Sequence, residues 1–241
     1  MKDQSCTSTN STRLLFFGRA KCDFSRDLLA ESRRLGFDVT YVESSYRGES
    51  LPDGVFEWEG EFIFCFRSLF RIPKSLLAKA HGSAINFHPG PPEYPGSGCI
   101  NFALYDGVQE FGVTAHLMNE RIDNGRILQV RRFPISEDDG LMDVLYRTHC
   151  ELFNLCALFL SQVRENGEKF IEDQLAATGD IKWVGEARKL KDLEELQQLH
   201  VGISEEELKR IVRATYTEKF PPWIVLHGFK FTLSSDRVEG Q

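Results

Sequence analysis

Residues 84–98 read "AINFHPGPPEYPGSG". An apolar run ends on Asn86 and His88, and four prolines and three glycines follow, the last of them Gly98. Asn86 and His88 therefore end a strand, and an irregular loop comes next. Proline fixes φ and lowers what a loop loses on ordering, so this loop is a preformed wall. The segment after it, "CINFALYDG", reads as a helix.

The same alternation extends in both directions. Upstream, "RLLFFG" is a strand, "CDFSRDLLAESRRLG" carries leucines at helical spacing before Gly36, and "FDVTYVES" and "EFIFCFRS" are further strands. "IPKSLLAKAHG" is a helix begun by proline. Downstream come strands in "FGVTAHLMN" and "GRILQVRRFPI" and a long amphipathic helix in "DGLMDVLYRTHCELFNLCALFLSQVRENG". Strands alternating with helices imply an α/β fold with a Rossmann-like, mostly parallel sheet. After about Gly179 the chain turns charged and linker-like, then a helix opens at Ser204 with Glu207 as a capping box. The tail "FPPWIVLHGFKFTL" has two apolar runs around His227-Gly228, the pattern of a β-hairpin. The expected organisation is a disordered start over residues 1–12, a catalytic domain over 13–180 and a small C-terminal subdomain over 181–241.

Bulk composition narrows the function. The 29 basic and 36 acidic residues leave a net charge of −7, so a general attraction to nucleic acid is not expected. No apolar run approaches the roughly 18 residues of a membrane span, and the polar "MKDQSCTSTNSTR" lacks the apolar core of a signal peptide, so a soluble cytoplasmic protein is expected. The six cysteines show no C-x-x-C spacing and read as buried reduced thiols.

In an open α/β sheet, ligands bind beyond the carboxyl ends of the strands. Asn86 and His88 end one strand, and Asp123 lies in the turn between two later ones, so the three can meet as amide donor, titrating imidazole and carboxylate. Each also has a plain structural reading: packing for His88, and for Asp123 the Asp-Asn-Gly turn that favours left-handed backbone. His116 as a third ligand beside His88 and Asp123 has no supporting metal motif, and no metal is expected. "FFGRAKCDFS" lacks G-x-G-x-x-G, which leaves Arg19 and Lys21 as candidates for a looser phosphate contact or as an exposed basic loop. No nucleophile elbow or activated cysteine pattern occurs.

Taken together, "INFHPGPPEYPGSGCINFALYDGVQEFGVTAHLMNERIDNGRILQVRRFPI" closely resembles the catalytic core of the folate-dependent formyltransferases: an Asn-x-His pair, a proline and glycine loop, and a later Asp in an x-I/L-D-x-G turn. The likeness runs from about Leu14 to Gln162. It implies the formyltransferase fold, 10-formyltetrahydrofolate as co-substrate, and Asn86, His88 and Asp123 as the catalytic set. A neutral His88 would take the amine's proton, Asn86 would donate to the oxyanion, and Asp123 would orient His88. By the same likeness the pterin is read by Phe70, Arg71 and Ile72 and by the Asp123 turn. The acceptor meets Arg19 and Lys21 through its phosphates and the loop residues Pro91, Glu93 and Tyr94. That loop departs from the family, because Pro89-Gly90-Pro91-Pro92-Glu93-Tyr94 stands where many members have Ser-Leu-Leu-Pro.

Within the family, members differ by the amine they formylate. Residues 181–241 hold ten basic and ten acidic residues, unlike the basic C-terminal domain of the tRNA enzymes. The segment instead resembles the short C-terminal element of sugar N-formyltransferases. The expected acceptor is a nucleotide-linked 4-amino-4,6-dideoxyhexose, GDP-perosamine favoured, for surface polysaccharide such as O-antigen, with a homodimer as the assembly. Methionyl-tRNA formylation, phosphoribosylglycinamide formylation and a non-catalytic nucleotide-sugar or folate binder are the alternatives.

Overall fold

A computed structural model describes residues 11–234. The expected disordered start falls almost wholly outside those residues, as does Cys6. In chain order the elements are β1 (Arg13–Arg19), α1 (Asp23–Arg34), β2 (Asp38–Ser44), β3 (Phe62–Phe66), α2 (Lys74–Leu77), β4 (Ala84–His88), α3 (Cys99–Asp106), β5 (Glu110–Leu117), β6 (Ile127–Pro134), α4 (Leu141–Asn166), α5 (Glu168–Thr178), α6 (Leu190–Gln197), β7 (Gln198–Leu199), α7 (Glu205–Thr215), β8 (Trp223–Leu226) and β9 (Phe229–Thr232).

Six strands form the main sheet in the order β2-β1-β3-β4-β5-β6. The pairs from β2 to β4 are parallel, while β4–β5 and β5–β6 are antiparallel. The fold is thus α/β with a mostly parallel, Rossmann-like sheet. Strand β3 is buried along its whole length, as a central strand covered on both faces must be. The period of two divides β1 between the layers: Leu14 and Phe16 join the helices α1, α4 and α5, whereas Leu15 and Phe17 join Trp58, Phe70, Ile72 and Leu76 on the other side. Helix α3 seeds a third cluster with Phe111, Phe133 and Ala214, which docks α7.

Two differences from the sequence reading have local causes. The long helix ends at Gly167 as read, at φ +58°, but residues 168–178, left unassigned in the sequence reading, form a separate helix α5. The linker-like stretch after Gly179 contains α6 and β7, and its first half packs inward. The hairpin forms where expected: His227 and Gly228 both have positive φ, the signature of a tight type I′ connection, and β7-β8-β9 make a small second sheet. Among the described residues, no helix is long and apolar enough to cross a membrane. Cys22, Cys65, Cys99, Cys150 and Cys156 are free thiols.

Phe159 of α4 ties the layers together. It is fully buried and meets Phe87 of β4 at 5.6 Å and Phe170 of α5 at 5.0 Å, both edge to face. Phe159→Ala is expected to cost about 3–5 kcal/mol, read as a lowered urea midpoint with an unchanged slope.

Candidate active site

Asn86 and His88 are two residues apart on β4, and the register places them opposite His116 and Thr114 of β5. All four side chains therefore share one face of this antiparallel pair. A bulge against β6 falls between Ala115 and His116, where irregular pairing re-aims a side chain. The turn after β5 folds Asp123 back over this face. The meeting point is thus the face of the antiparallel pair at the carboxyl end of β4, whose last residue is His88.

Asp123 is the hub. One carboxylate oxygen takes the Gly96 amide at 2.8 Å and stands 3.1 Å from His88 Nδ1. The other stands 3.3 Å from Asn86 Nδ2 and 3.4 Å from His116 Nε2. Asp123, His88 and His116 are all buried. Asp123 itself adopts left-handed backbone, φ +43°, a conformation that persists only where the surroundings over-determine it. Gly125 helps to do so, because a Cβ there would lie 1.6 Å from the Leu117 carbonyl oxygen.

Hydrogen-bond partners assign the protons. Nδ1 of His116 faces the Leu117 carbonyl at 2.9 Å and so donates, which leaves Nε2 to accept from Asn86 Nδ2 at 3.0 Å. His88 differs, since both ring nitrogens face oxygen: Asp123 at Nδ1, and the Tyr94 carbonyl at Nε2, 2.9 Å away. Two acceptors require two protons. Burial opposes the charge on His88, but the field of Asp123, its hydrogen bond and the Tyr94 carbonyl outweigh burial and raise the pKa. For Asp123, burial pushes the carboxyl up, while the field of His88 and its hydrogen bond hold it far below the usual carboxylate range. The resting pair is an imidazolium and a carboxylate, which corrects the expectation of a neutral His88. Both Asn86 amide protons are likewise engaged, and the longer contact, to Asp123, is the weaker hold.

The other expected residues lie apart from this hub. Tyr94 reaches it through its carbonyl only; its ring is buried in the α3 cluster and its hydroxyl donates to Asp106. Glu93 is committed to Arg132 at 2.7 Å, and the Pro91 carbonyl accepts the Tyr94 amide. Phe70 and Ile72 are buried with Met118 in the layer against Ala84, on the same face of the sheet as Asn86 and His88, and Arg71 is exposed. Arg19 ends β1 and exposed Lys21 follows it, and close by Arg67, also in left-handed backbone, donates to the Cys22 thiol. Cys99 borders the loop, but burial pushes its thiol up to about 12 and it donates to the Pro89 carbonyl, so it offers no nucleophile. Among the described residues, no group of three His, Cys, Asp or Glu has the arrangement of a metal site.

Trp183, in the stretch that reads as a linker, packs on both imidazoles, and Arg188 lies 3.8 Å over the Phe102 ring. The charged residues around Trp183 hid it, and an isolated tryptophan in a polar run was the signal available. A cavity of about 510 Å³ opens outside this indole, bordered by Asn124, Arg126, Leu175 and Lys182.

The sequence pattern of the formyl transferase family matches residues 29–154, just over half of the chain. A methionyl-tRNA formyltransferase of Listeria monocytogenes serotype 4a (strain HCC23) is 38% identical over 85 residues; the match takes in 34% of this chain and only 27% of that enzyme's length. A solved sugar N-formyltransferase from a Shewanella species superposes with a TM-score of 0.70 at 21% identity, covering 95% of this chain and 99% of the other. An N-formyltransferase from Helicobacter canadensis, solved with folinic acid and dTDP-3-aminofucose, gives a TM-score of 0.65 at 15% identity over 90% and 85% of the two chains.

With its folded pKa above the unfolded value of about 6.5, His88 adds stability that is fully present below that pH and is lost as pH rises through the folded value. Asp123, with its pKa depressed, adds stability above about pH 4 that is lost only in stronger acid. Urea unfolding of wild type and His88→Gln across pH should therefore show the largest gap near about pH 5–6 and a narrowing one towards about pH 9. A gap that widens with pH would contradict the imidazolium.

Proposed function

Because the chain belongs to the formyl transferase family, we propose that it transfers a formyl group from 10-formyltetrahydrofolate to the amino group of a nucleotide-linked 4-amino-4,6-dideoxyhexose. The observation that carries this reading is the buried imidazolium–carboxylate pair of His88 and Asp123 with the Asn86 amide beside it. It places a positive charge and an N–H donor at one point, which is what acyl transfer to an amine asks of a protein.

Bound there, the folate supplies an activated formyl carbon. His88 Nε2 is the atom from which a proton is delivered to the departing nitrogen and to which the amine's surplus proton returns, while Asp123 holds the ring through Nδ1 in either state. Asn86 turns its weaker-held N–H, the one facing Asp123, to the oxygen on which negative charge grows. The proton transfer needs the Tyr94 carbonyl to release His88 Nε2.

The residues available for the co-substrate fit a pterin. Phe70, Ile72 and Met118 offer an apolar wall, and among the described residues no hydrogen bond engages the backbone of Ile72, which leaves its N–H and carbonyl for a polar ligand edge. For the acceptor's phosphates, Arg19 and Lys21 gain Arg67. Burial and the charges of Arg67 and Arg19 press the His149 pKa down to about 4, so this imidazole is neutral near pH 7 and adds no third positive charge to the two guanidiniums. Such a cluster favours a diphosphate.

A sugar acceptor is supported by the folded likeness to sugar enzymes along nearly the whole chain and by the charge-neutral C-terminal segment. GDP-perosamine remains the favoured acceptor and surface polysaccharide, such as O-antigen, the destination, in the cytoplasm. The same reading divides the chain at about residue 180 into a catalytic domain and a small C-terminal subdomain. The exposed Phe229 and Phe231 of β9 are the proposed homodimer contact. The match to the Listeria enzyme favours charged initiator tRNA as the runner-up.

Incubation with formyl-labelled 10-formyltetrahydrofolate and each acceptor in turn is expected to label a nucleotide amino sugar. Label on charged tRNA or glycinamide ribonucleotide alone would overturn the choice, and label on none would leave a binder. Asn86→Ala should lower kcat by about 10²–10³ with the fold intact by circular dichroism.

A further inference from the structure

We infer that Trp183 is a positioning residue for the two imidazoles that flank Asp123, an inference that rests on the formyl-transfer reading only for its consequence in turnover. Three contacts converge on the indole. Its ring centre lies 5.5 Å from that of His88 and 5.0 Å from that of His116, with planes crossed at 76° and 87°. Its Nε1–H donates at 2.8 Å to the carbonyl of Gly125, two residues beyond Asp123 in the same turn. One side chain thus touches both rings and pins the turn carrying the carboxylate between them.

The main chain around Trp183 has no other evident task. Val184 donates to the Pro92 carbonyl at 2.9 Å, Arg188 donates to the Pro95 carbonyl at 3.1 Å, and Ser97 donates back to the Arg188 carbonyl at 2.8 Å. The segment is laced along the proline loop, the same loop whose Tyr94 carbonyl holds His88 Nε2 and whose Gly96 amide holds Asp123. Loop and strap brace each other, and each ends on the hub.

A packing role alone does not account for the residue. Trp183 is only partly buried and belongs to none of the three apolar clusters that hold the sheet and helices together. Its apolar area is spent on two imidazoles. There it stands in place of water, so the attraction between His88 and Asp123 is not diluted by solvent, and an imidazolium within about 6 Å of an indole gains directly. The remaining groups facing this pair are His116 from β5, Asn86 from β4, the Tyr94 carbonyl and Gly90 from the loop, and the un-ionised Cys99 thiol from α3.

The test uses the full chain with Trp183→Phe, which keeps a ring and loses the N–H, and Trp183→Ala, which loses both. Imidazole nitrogen NMR of His88 across about pH 5–9 reads its proton occupancy, and steady-state kinetics over the same range read turnover. In both variants the His88 midpoint should move by more than about half a unit. The kcat should fall about tenfold in Trp183→Phe and about a hundredfold in Trp183→Ala, with each KM within about threefold of wild type. His88 signals and a kcat profile that superimpose on wild type in Trp183→Ala would overturn the inference. If that variant does not fold, unmoved His88 signals in Trp183→Phe would overturn it instead. Should wild type transfer formyl to no acceptor, the function proposed above falls, while the NMR arm still decides whether Trp183 positions the rings.

Discussion

A single buried carboxylate organises this molecule. Taking the charge of Asp123 out of water is affordable only if its oxygens are well partnered, and the chain brings donors from three places: the His88 imidazolium, a carboxamide and a backbone N–H. Each partner requires a piece of architecture. The β4–β5 register supplies Asn86 and His116 side by side, the end of β4 supplies His88, and the proline loop supplies the Gly96 amide. The left-handed backbone of Asp123 is tolerated because these contacts leave it no alternative.

From that constraint follows the chemistry. A carboxylate held so far below its usual range keeps its negative charge, and that charge biases the imidazole beside it towards its protonated form, since Tyr94 offers a second acceptor on the opposite nitrogen. The proton inventory of the site is therefore different from that of an isolated histidine titrating near neutrality. In the proposed reaction His88 would begin as a donor, and its return to that state would absorb the surplus proton of the attacking amine. Neighbouring thiols stay out of this exchange because burial keeps Cys99 and Cys65 protonated, with pKa values pushed up to about 12.

The proline loop and the strap at residues 183–188 show how a rigid element and a polar one divide the work. Prolines alone would preform the loop, but a loop of this length over a charged hub also has to place individual backbone atoms. Hydrogen bonds from Val184 and Arg188, together with the Arg188 guanidinium stacked on Phe102, do that placing.

Much was legible in the amino-acid order: period-two apolar runs between helical ones, the clustered prolines, Asn86 and His88 at spacing two, and the His227-Gly228 turn are local patterns with local physical causes. The candidate trio was visible for the same reason. The protonation of His88, the engagement of both Asn86 protons, the burial of Tyr94 and the inward turn of Trp183 were not. Each depends on which groups from distant parts of the chain lie within about 3 Å of one another, because hydrogen bonds and local dielectric act over that range alone. A residue such as Trp183, surrounded in sequence by charge, carries no local mark of its place. Only the folding of the Asp123 turn beneath it decides that its ring meets two imidazoles and not solvent.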